Sequence, residues 1–293
     1  MKSIIDIHTH GIGSYDTRTS NPAHILKIAE IHGRYSVSEI IPTIYPAQIE
    51  KMRENMEAVK KAMEMQKSGF GVGLSRIIGI HLEGPFLNHL KSGALDSASF
   101  IKPSEYNLKK LIEGFEDIIR IITIAPELRG AVKLIKIISD MGIIASMGHS
   151  DARYTEAEAG FHAGAKGITH IFNAMREFHH REPGIAGFGL LNPHIFIEII
   201  ADPFHIHQKN IELIFKIKNH ERIIIVSDSV KKRPRSINYG EEVQIKSITD
   251  TQGRLYGGSM AVTLSTKRLI GTGLKKEMVM KCVSKNPLSY LKQ

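Results

Sequence analysis

Short runs rich in isoleucine and valine recur along this chain, and longer stretches with apolar residues every three or four positions lie between them. Runs at residues 3–8, 39–45, 76–83, 118–125, 142–147, 167–172, 196–201 and 222–227 read as buried strands, because nearly continuous β-branched sequence suits a strand covered on both faces. The stretches 22–33, 47–67, 104–115, 129–141, 151–163 and 208–219 carry helical periodicity. Strands alternating with helices imply parallel βαβ units. Eight of them imply a closed (β/α)8 barrel, the TIM-type α/β architecture, rather than an open sheet.

Two segments break the rhythm. Residues 175–193 read as a long connection, and long connections in compact domains tend to be functional. Residues 238–258 read as a small β-hairpin insertion, and residues 264–291 as a helical C-terminal tail. Residues 1–293 are thus expected to form one barrel domain.

Composition narrows the class. With 293 residues, 42% hydrophobic and 24% charged, the chain can bury a large core without staples. Its one cysteine, Cys282, allows no internal disulfide, which fits a reducing cytoplasm. Asp6, His8 and His10 interrupt the N-terminal apolar run, so no signal segment is expected there. No apolar stretch has the length of a membrane span. The net charge of +9 raises nucleic acid as a partner. No helix-turn-helix or zinc-finger pattern accompanies it, and the lysines are scattered along helical stretches. A dense basic cluster occurs only at Lys231-Lys232-Arg233-Pro234-Arg235. The expectation is no nucleic acid and no membrane, with a mild positive field suited to a small anionic substrate.

Candidate chemistry collects where strands end, the face on which such barrels carry their active sites. His8 and His10 end the first strand and His81 and Glu83 the third. His149, Ser150 and Asp151 end the fifth, and His170 the sixth with Asn173 beyond it. Asp202 and His205 follow the seventh, and Asp228 the eighth. One histidine at a strand end is most often a hydrogen-bonded structural residue, and one aspartate there is commonly a helix cap, a role that suits Asp151. Six strand ends delivering such residues to one mouth is a different matter. Imidazole and carboxylate donors suit zinc, and also iron, manganese or cobalt. A metal with an open position lowers the pKa of water, and a free carboxylate can move the proton to a leaving amine. Glu83, His149 and His170 are assigned to the metal and Asp228 to the general base and then general acid, a set suited to amide hydrolysis.

Several segments then resemble a known family. His81-Leu82-Glu83-Gly84-Pro85-Phe86-Leu87, Gly148-His149-Ser150-Asp151-Ala152 and Thr169-His170-Ile171-Phe172-Asn173-Ala174-Met175 are similar to signatures of the N-acetylglucosamine-6-phosphate deacetylases of the amidohydrolase superfamily. Ala125-Pro126-Glu127, Arg181-Glu182-Pro183-Gly184, Val226-Ser227-Asp228 and the opening Asp6-Ile7-His8-Thr9-His10-Gly11 also match, in family order, from about residue 3 to about residue 260.

The resemblance implies a metal-dependent hydrolase on a (β/α)8 barrel that removes acetate from N-acetylglucosamine 6-phosphate. It places the metal on Glu83, His149 and His170, with His8 and His10 for a second ion where one is present, and the acid/base on Asp228. Its substrate contacts fall on Ala94, Leu95, Asn173, Ala174, Arg181, Asp202, His205, Tyr256, Gly257 and Gly258. Arg181 could grip phosphate through two parallel hydrogen bonds. His205 could help polarise the amide carbonyl or contact the sugar. A homodimer is implied as well.

The chain departs from the family pattern in three ways. The first strand begins almost at Met1, so the small β-sandwich domain of the family is expected to be largely missing. Pro203 stands where glycine is usual, and Leu95 where histidine is frequent. These leave room for another amidohydrolase reaction, on a different N-acyl sugar or a cyclic amide. A metal-binding barrel without catalysis is a further alternative, against which the intact Asp228 argues.

Overall fold

The computed structural model describes residues 3–69, 73–231, 247–249 and 253–293. Eight parallel strands follow one another around a barrel: β1 Ile5–Thr9, β2 Glu39–Ile44, β3 Ile80–Glu83, β4 Ile119–Ile124, β5 Ile144–Met147, β6 Gly167–Ile168, β7 Phe196–Ile200 and β8 Ile223–Val226. Each pairs with its successor in parallel register, for example Ile121 with Ile144 and Ile197 with Ile223. The seam between β8 and β1 is closed just beyond the strands. There Thr9 bridges Ser229, the Asp228 N–H donates to the His8 carbonyl at 2.9 Å, and the His10 N–H donates to the Ser229 carbonyl at 2.8 Å. The expected (β/α)8 barrel is therefore present.

Helices α1 Pro22–Arg34, α2 Ile49–Lys67, α3 Glu105–Ile112, α4 Ala131–Asp140, α5 Tyr154–His162, α6 Gly184–Leu191 and α7 Gln208–Ile217 follow the strands. Local chemistry sets their starts. Proline suits the first position of α1, and Asn21 caps it by accepting the Ala23 N–H at 3.0 Å. Ser104 does the same for α3, accepting the Asn107 N–H at 3.2 Å. Asp151 does not cap α5. The cap position is Arg153, whose N–H is accepted by Glu156 at 2.7 Å, and Asp151 instead pairs with Arg176 at 2.6 Å.

The connection at residues 175–193 is not all loop, for it contains α6. Its sequence, with three glycines in eight residues, is a poor helix former, which hid it from a propensity reading. Packing explains the choice: a Cβ on Gly189 would lie 2.6 Å from Ile168 Cδ1. The helix has to approach the barrel closely, and the lost propensity is offset by burial of Ile185, Phe188 and Leu190.

Beyond β8, Ile248–Thr249 pairs antiparallel with Leu255–Gly257. The rest of the hairpin expected at 238–258, including residues 243–245, lies outside the described residues, as do Lys232 to Arg235 of the basic cluster. The tail forms α8 Val262–Gly271, α9 Lys276–Cys282 and α10 Lys285–Tyr290. Among the described residues no helix is long and apolar enough to cross a membrane.

Two apolar cores result. The larger lies between strands and helices and includes Ile28, Met56, Ile122 and Leu134. The smaller joins Ile7, Ile41, Ile121, Ile224 and Val226 to Phe196 and Tyr290, whose ring centroids lie 5.0 Å apart. At roughly 25 cal/mol per Å2 of apolar surface removed from water, burial on this scale dominates folding. It also holds the strand ends, where the polar residues stand.

Candidate active site

Three strand ends and one seam place the ionisable groups. Glu83 closes β3, His149 follows β5, His170 follows β6 and Asp228 follows β8. His149, His170 and Asp228 have left-handed backbone conformations, with φ of 47°, 30° and 46°. Non-glycine residues adopt that region at a cost and cluster at functional sites, where the turn aims a side chain the strand would point elsewhere. On β1 the pairing register with β2 shifts between Asp6 and Thr9, around His8.

Two buried triads capable of holding a cation converge, Glu83 with His149 and His170, and His8 with His10 and Asp228. Glu83 lies between them. Its Oε1 is 3.2 Å from His149 Nε2, 3.0 Å from His170 Nε2 and 3.4 Å from His8 Nε2, while its Oε2 is 3.1 Å from His10 Nε2. Asp228 Oδ1 lies 3.3 Å from His8 Nε2 and 3.5 Å from His10 Nε2.

The outer nitrogens of two of these rings are held by backbone carbonyls. His149 Nδ1 donates to the Lys91 carbonyl at 2.8 Å and His10 Nδ1 to the Thr43 carbonyl at 3.1 Å. With Nδ1 of each ring so engaged, Nε2 is turned inward, the arrangement by which metal-binding histidines are held. His149 Nε2 and His170 Nε2 are only 3.1 Å apart. Imidazole nitrogens and carboxylates crowded this closely call for positive charge among them, which a divalent cation would supply. The donor set, imidazole nitrogens with a carboxylate, fits zinc or a similar ion.

Burial works against the Glu83 carboxylate, but His149 and His10 hold its pKa well below the usual range. Burial works against a charged His8, yet Asp228, Glu198 and Glu83 raise it well above the ordinary histidine value. His81, two residues before Glu83, is no ligand. Burial and the neighbouring His8 push its pKa down, and its Nε2 is bonded to the Thr123 hydroxyl at 2.8 Å.

Above the triads opens a cavity of about 240 Å3. His10, Glu83, His149, His170 and Asp228 line it, as do Ala94, Leu95, Asn173, Ala174, His205, Tyr256 and Gly257. Asp202 stands behind His205, accepting its Nδ1–H at 2.9 Å. Burial opposes the Asp202 carboxylate, but His205 and the backbone N–H groups of His205 and Phe204 keep its pKa below the ordinary value. Gly258 stands behind Asp228, donating its N–H to the Asp228 carbonyl at 2.7 Å. His8, Asp202, Gly258 and Arg181 are not among the lining residues, and Arg181 is exposed.

The structure adds residues the sequence reading passed over. Tyr45 lines the cavity and stacks on His10 with centroids 3.8 Å apart, and Arg254 lines it too. Glu198 lies within 3.1 Å of His8 Nδ1. Its signal was legible, since a carboxylate interrupts the otherwise apolar Phe196-Ile197-Glu198-Ile199-Ile200. Tyr45 stands next to a strand end and could have been found by the same rule as the histidines. A larger cavity of about 820 Å3, lined by Ile4, Val37, Leu74 and Met280, holds none of these groups.

No family model matches the chain. The N-acetylglucosamine-6-phosphate deacetylase of Vibrio furnissii is 32% identical over 231 residues, covering 79% of this chain and 56% of that protein. The chain thus spans little more than half the length of that relative. The N-acetylgalactosamine-6-phosphate deacetylase of Escherichia coli O157:H7 is 29% identical over 294 residues, covering 98% and 76% respectively. Among solved structures, the N-acetylglucosamine-6-phosphate deacetylase of Thermotoga maritima superposes with a TM-score of 0.86 at 26% identity, covering 99% of this chain and 78% of that one.

Proposed function

From its membership of the N-acetylglucosamine-6-phosphate deacetylase family, we propose that this chain hydrolyses the acetamide of N-acetylglucosamine 6-phosphate, releasing acetate and glucosamine 6-phosphate. The observation that carries the reading is Asp228 facing the cavity beside the Glu83, His149 and His170 triad.

Glu83, His149 and His170 would hold the catalytic cation, zinc before iron, manganese or cobalt, and His8 with His10 would hold a second where one is bound. The ion supplies Lewis acidity, which acidifies water and polarises a carbonyl. Asp228 takes the proton of the attacking water and returns it to the amine nitrogen as acetate departs. Without that second transfer an amine is a poor leaving group. Because Asp202 accepts Nδ1–H, a neutral His205 leaves Nε2 for the cavity as an acceptor, a role that suits a sugar hydroxyl. Polarising the acetamide carbonyl from His205 needs a proton on Nε2 as well. Asn173, Ala174, Tyr256 and Gly257 shape the sugar site, and Arg181 and Arg254 are the cations assigned to phosphate. The same family reading makes the protein a cytoplasmic homodimer.

One observation favours a second reading. Leu95 lines the cavity with an apolar side chain, which suits a different N-acyl sugar. Relatives include deacetylases of both the glucosamine and the galactosamine derivatives. The test is acetate release by protein loaded in turn with each ion. Release from N-acetylglucosamine 6-phosphate that chelator abolishes supports the first reading. Release only from another N-acyl compound replaces it with the second, and release from neither with every ion shown to be bound removes the hydrolase reading.

A further inference from the structure

We propose that Glu198 makes His8 a metal ligand, and so sets whether the cavity holds one divalent cation or two. The proposal takes its setting from the hydrolase reading above, but it is read from cation binding and not from acetate release.

Glu198 is the one charged residue of β7, and it is 1% exposed. A carboxylate buried this deeply is costly unless positive charge or donors face it. Its Oε2 lies 3.1 Å from Nδ1 of the fully buried His8, while its Oε1 finds no partner among the described residues. A carboxylate accepts, so Nδ1 of His8 carries a proton, and Nε2 is the nitrogen left to bind a cation. That Nε2 is buried without a hydrogen bond, 3.3 Å from Asp228 Oδ1 and 3.4 Å from Glu83 Oε1.

His10 reaches the same state by another route, since the Thr43 carbonyl accepts its Nδ1–H and its Nε2 lies 3.1 Å from Glu83 Oε2. The second triad therefore turns two imidazole Nε2 atoms and Asp228 toward one place where a cation would bind. Of its two rings, only His8 is backed by a charge. A carboxylate behind an imidazole fixes the tautomer and raises the basicity of the liganding nitrogen, and losing such a partner typically weakens metal binding about 10- to 100-fold. Glu198 is thus a positioning residue for the second ion. The first triad, whose His149 is fixed by the Lys91 carbonyl, does not depend on it. The competing account makes Glu198 a counter-charge for a doubly protonated His8, in which case Nε2 carries a proton and binds nothing.

The test strips the full chain with chelator and titrates zinc or cobalt(II), reading ion content and affinity. The wild type should bind two ions. Glu198→Gln, which keeps an acceptor but loses the charge, should weaken the second about tenfold and leave the first unchanged. Glu198→Leu should weaken the second about a hundredfold, as should His8→Ala, and combining the last two should add nothing. A wild type that binds one ion only overturns the proposal. So does Glu198→Leu with two ions at unchanged affinity, or with both sites weakened equally, which marks a merely structural role. Where the variants fail to fold, 15N-histidine spectra of the zinc-loaded wild type decide it. A proton on Nδ1 of His8 supports the proposal and a proton on Nε2 overturns it. Two ions bound without acetate release from any substrate removes the hydrolase reading and leaves this one standing.

Discussion

Glu127 is fastened to Asp151: its Oε1 accepts the Asp151 backbone N–H at 2.6 Å, while its Oε2 accepts the Ser150 hydroxyl at 2.7 Å. The Asn88 amide donates to the same carboxylate at 2.8 Å. One side chain after β4 thereby ties down the segment after β3 and the turn that carries His149 in its left-handed conformation. Glu127→Ala leaves three donors without an acceptor. It should cost about 1–3 kcal/mol in urea unfolding, as expected for charged hydrogen bonds. It should also weaken the cation at Glu83, His149 and His170 about tenfold, which a zinc titration checks.

Asp228→Asn removes the proposed proton carrier. Acetate release should fall by about two orders of magnitude or more. The sequence alone suggests unchanged metal content for this variant, but Asp228 also belongs to the triad with His8 and His10. Elemental analysis should therefore find the first ion retained and the second weakened. Turnover near the wild-type rate would sink the assignment.

Two arginines are assigned to phosphate, and only Arg254 lines the cavity. Arg254→Ala should raise KM for the phosphorylated sugar about tenfold or more, and exposed Arg181→Ala by less. Neither should alter KM for the unphosphorylated sugar. Steady-state kinetics on the two substrates separates phosphate recognition from a general loss of fold.

Gly258→Ala tests the turn behind Asp228. A Cβ there would lie 1.9 Å from the Ser227 carbonyl oxygen, which belongs to the backbone and cannot swing aside. The variant should lose about 2–3 kcal/mol, seen as a lower melting temperature, and the second ion should weaken as Asp228 shifts.

Burial, with Arg222 nearby, pulls the Lys218 ammonium down to about 7 from 10.5. Its Nζ donates to the carbonyls of Gly189 at 2.6 Å and Asn192 at 2.5 Å. A base whose folded pKa lies below its unfolded value binds fewer protons in the native state between the two. This group should therefore make stability rise with pH from about 7 toward 10.5 and add no slope below that window. Urea midpoints of the wild type and Lys218→Met between pH 6 and about 10 should converge or diverge accordingly, the slope being present only with lysine.

Most of the barrel was legible because its strands are buried on both faces, and continuous Ile and Val runs advertise that. Each of the eight expected strands is present, with ends shifted by a few residues. The largest shifts are at β3, read from Arg76 but beginning at Ile80 after a separate short strand Arg76–Ile77, and at β6, read through Phe172, where the chain leaves the strand after Ile168 so that His170 can turn. Helix α6 was hidden because close packing selected glycines against helix propensity. The converging groups Glu83, His149, His170 and Asp228 were legible as polar residues at strand ends. Glu198 was not singled out, since it sits inside a strand and its meaning depends on what lies across the barrel. Arg254 likewise acquires a place only when the segment after β8 folds back over the mouth.

The seam has a consequence for the nascent chain. The triad of Glu83, His149 and His170 is complete once residue 170 has been synthesised, whereas the triad of His8, His10 and Asp228 joins the first barrel strand to the last. Two of its members stand on or next to the first barrel strand and must wait for almost the whole barrel before the third arrives. The proposed proton carrier thus appears only with the strand that shuts the barrel, so a translation product arrested before β8 contains the residues of the first triad but lacks Asp228.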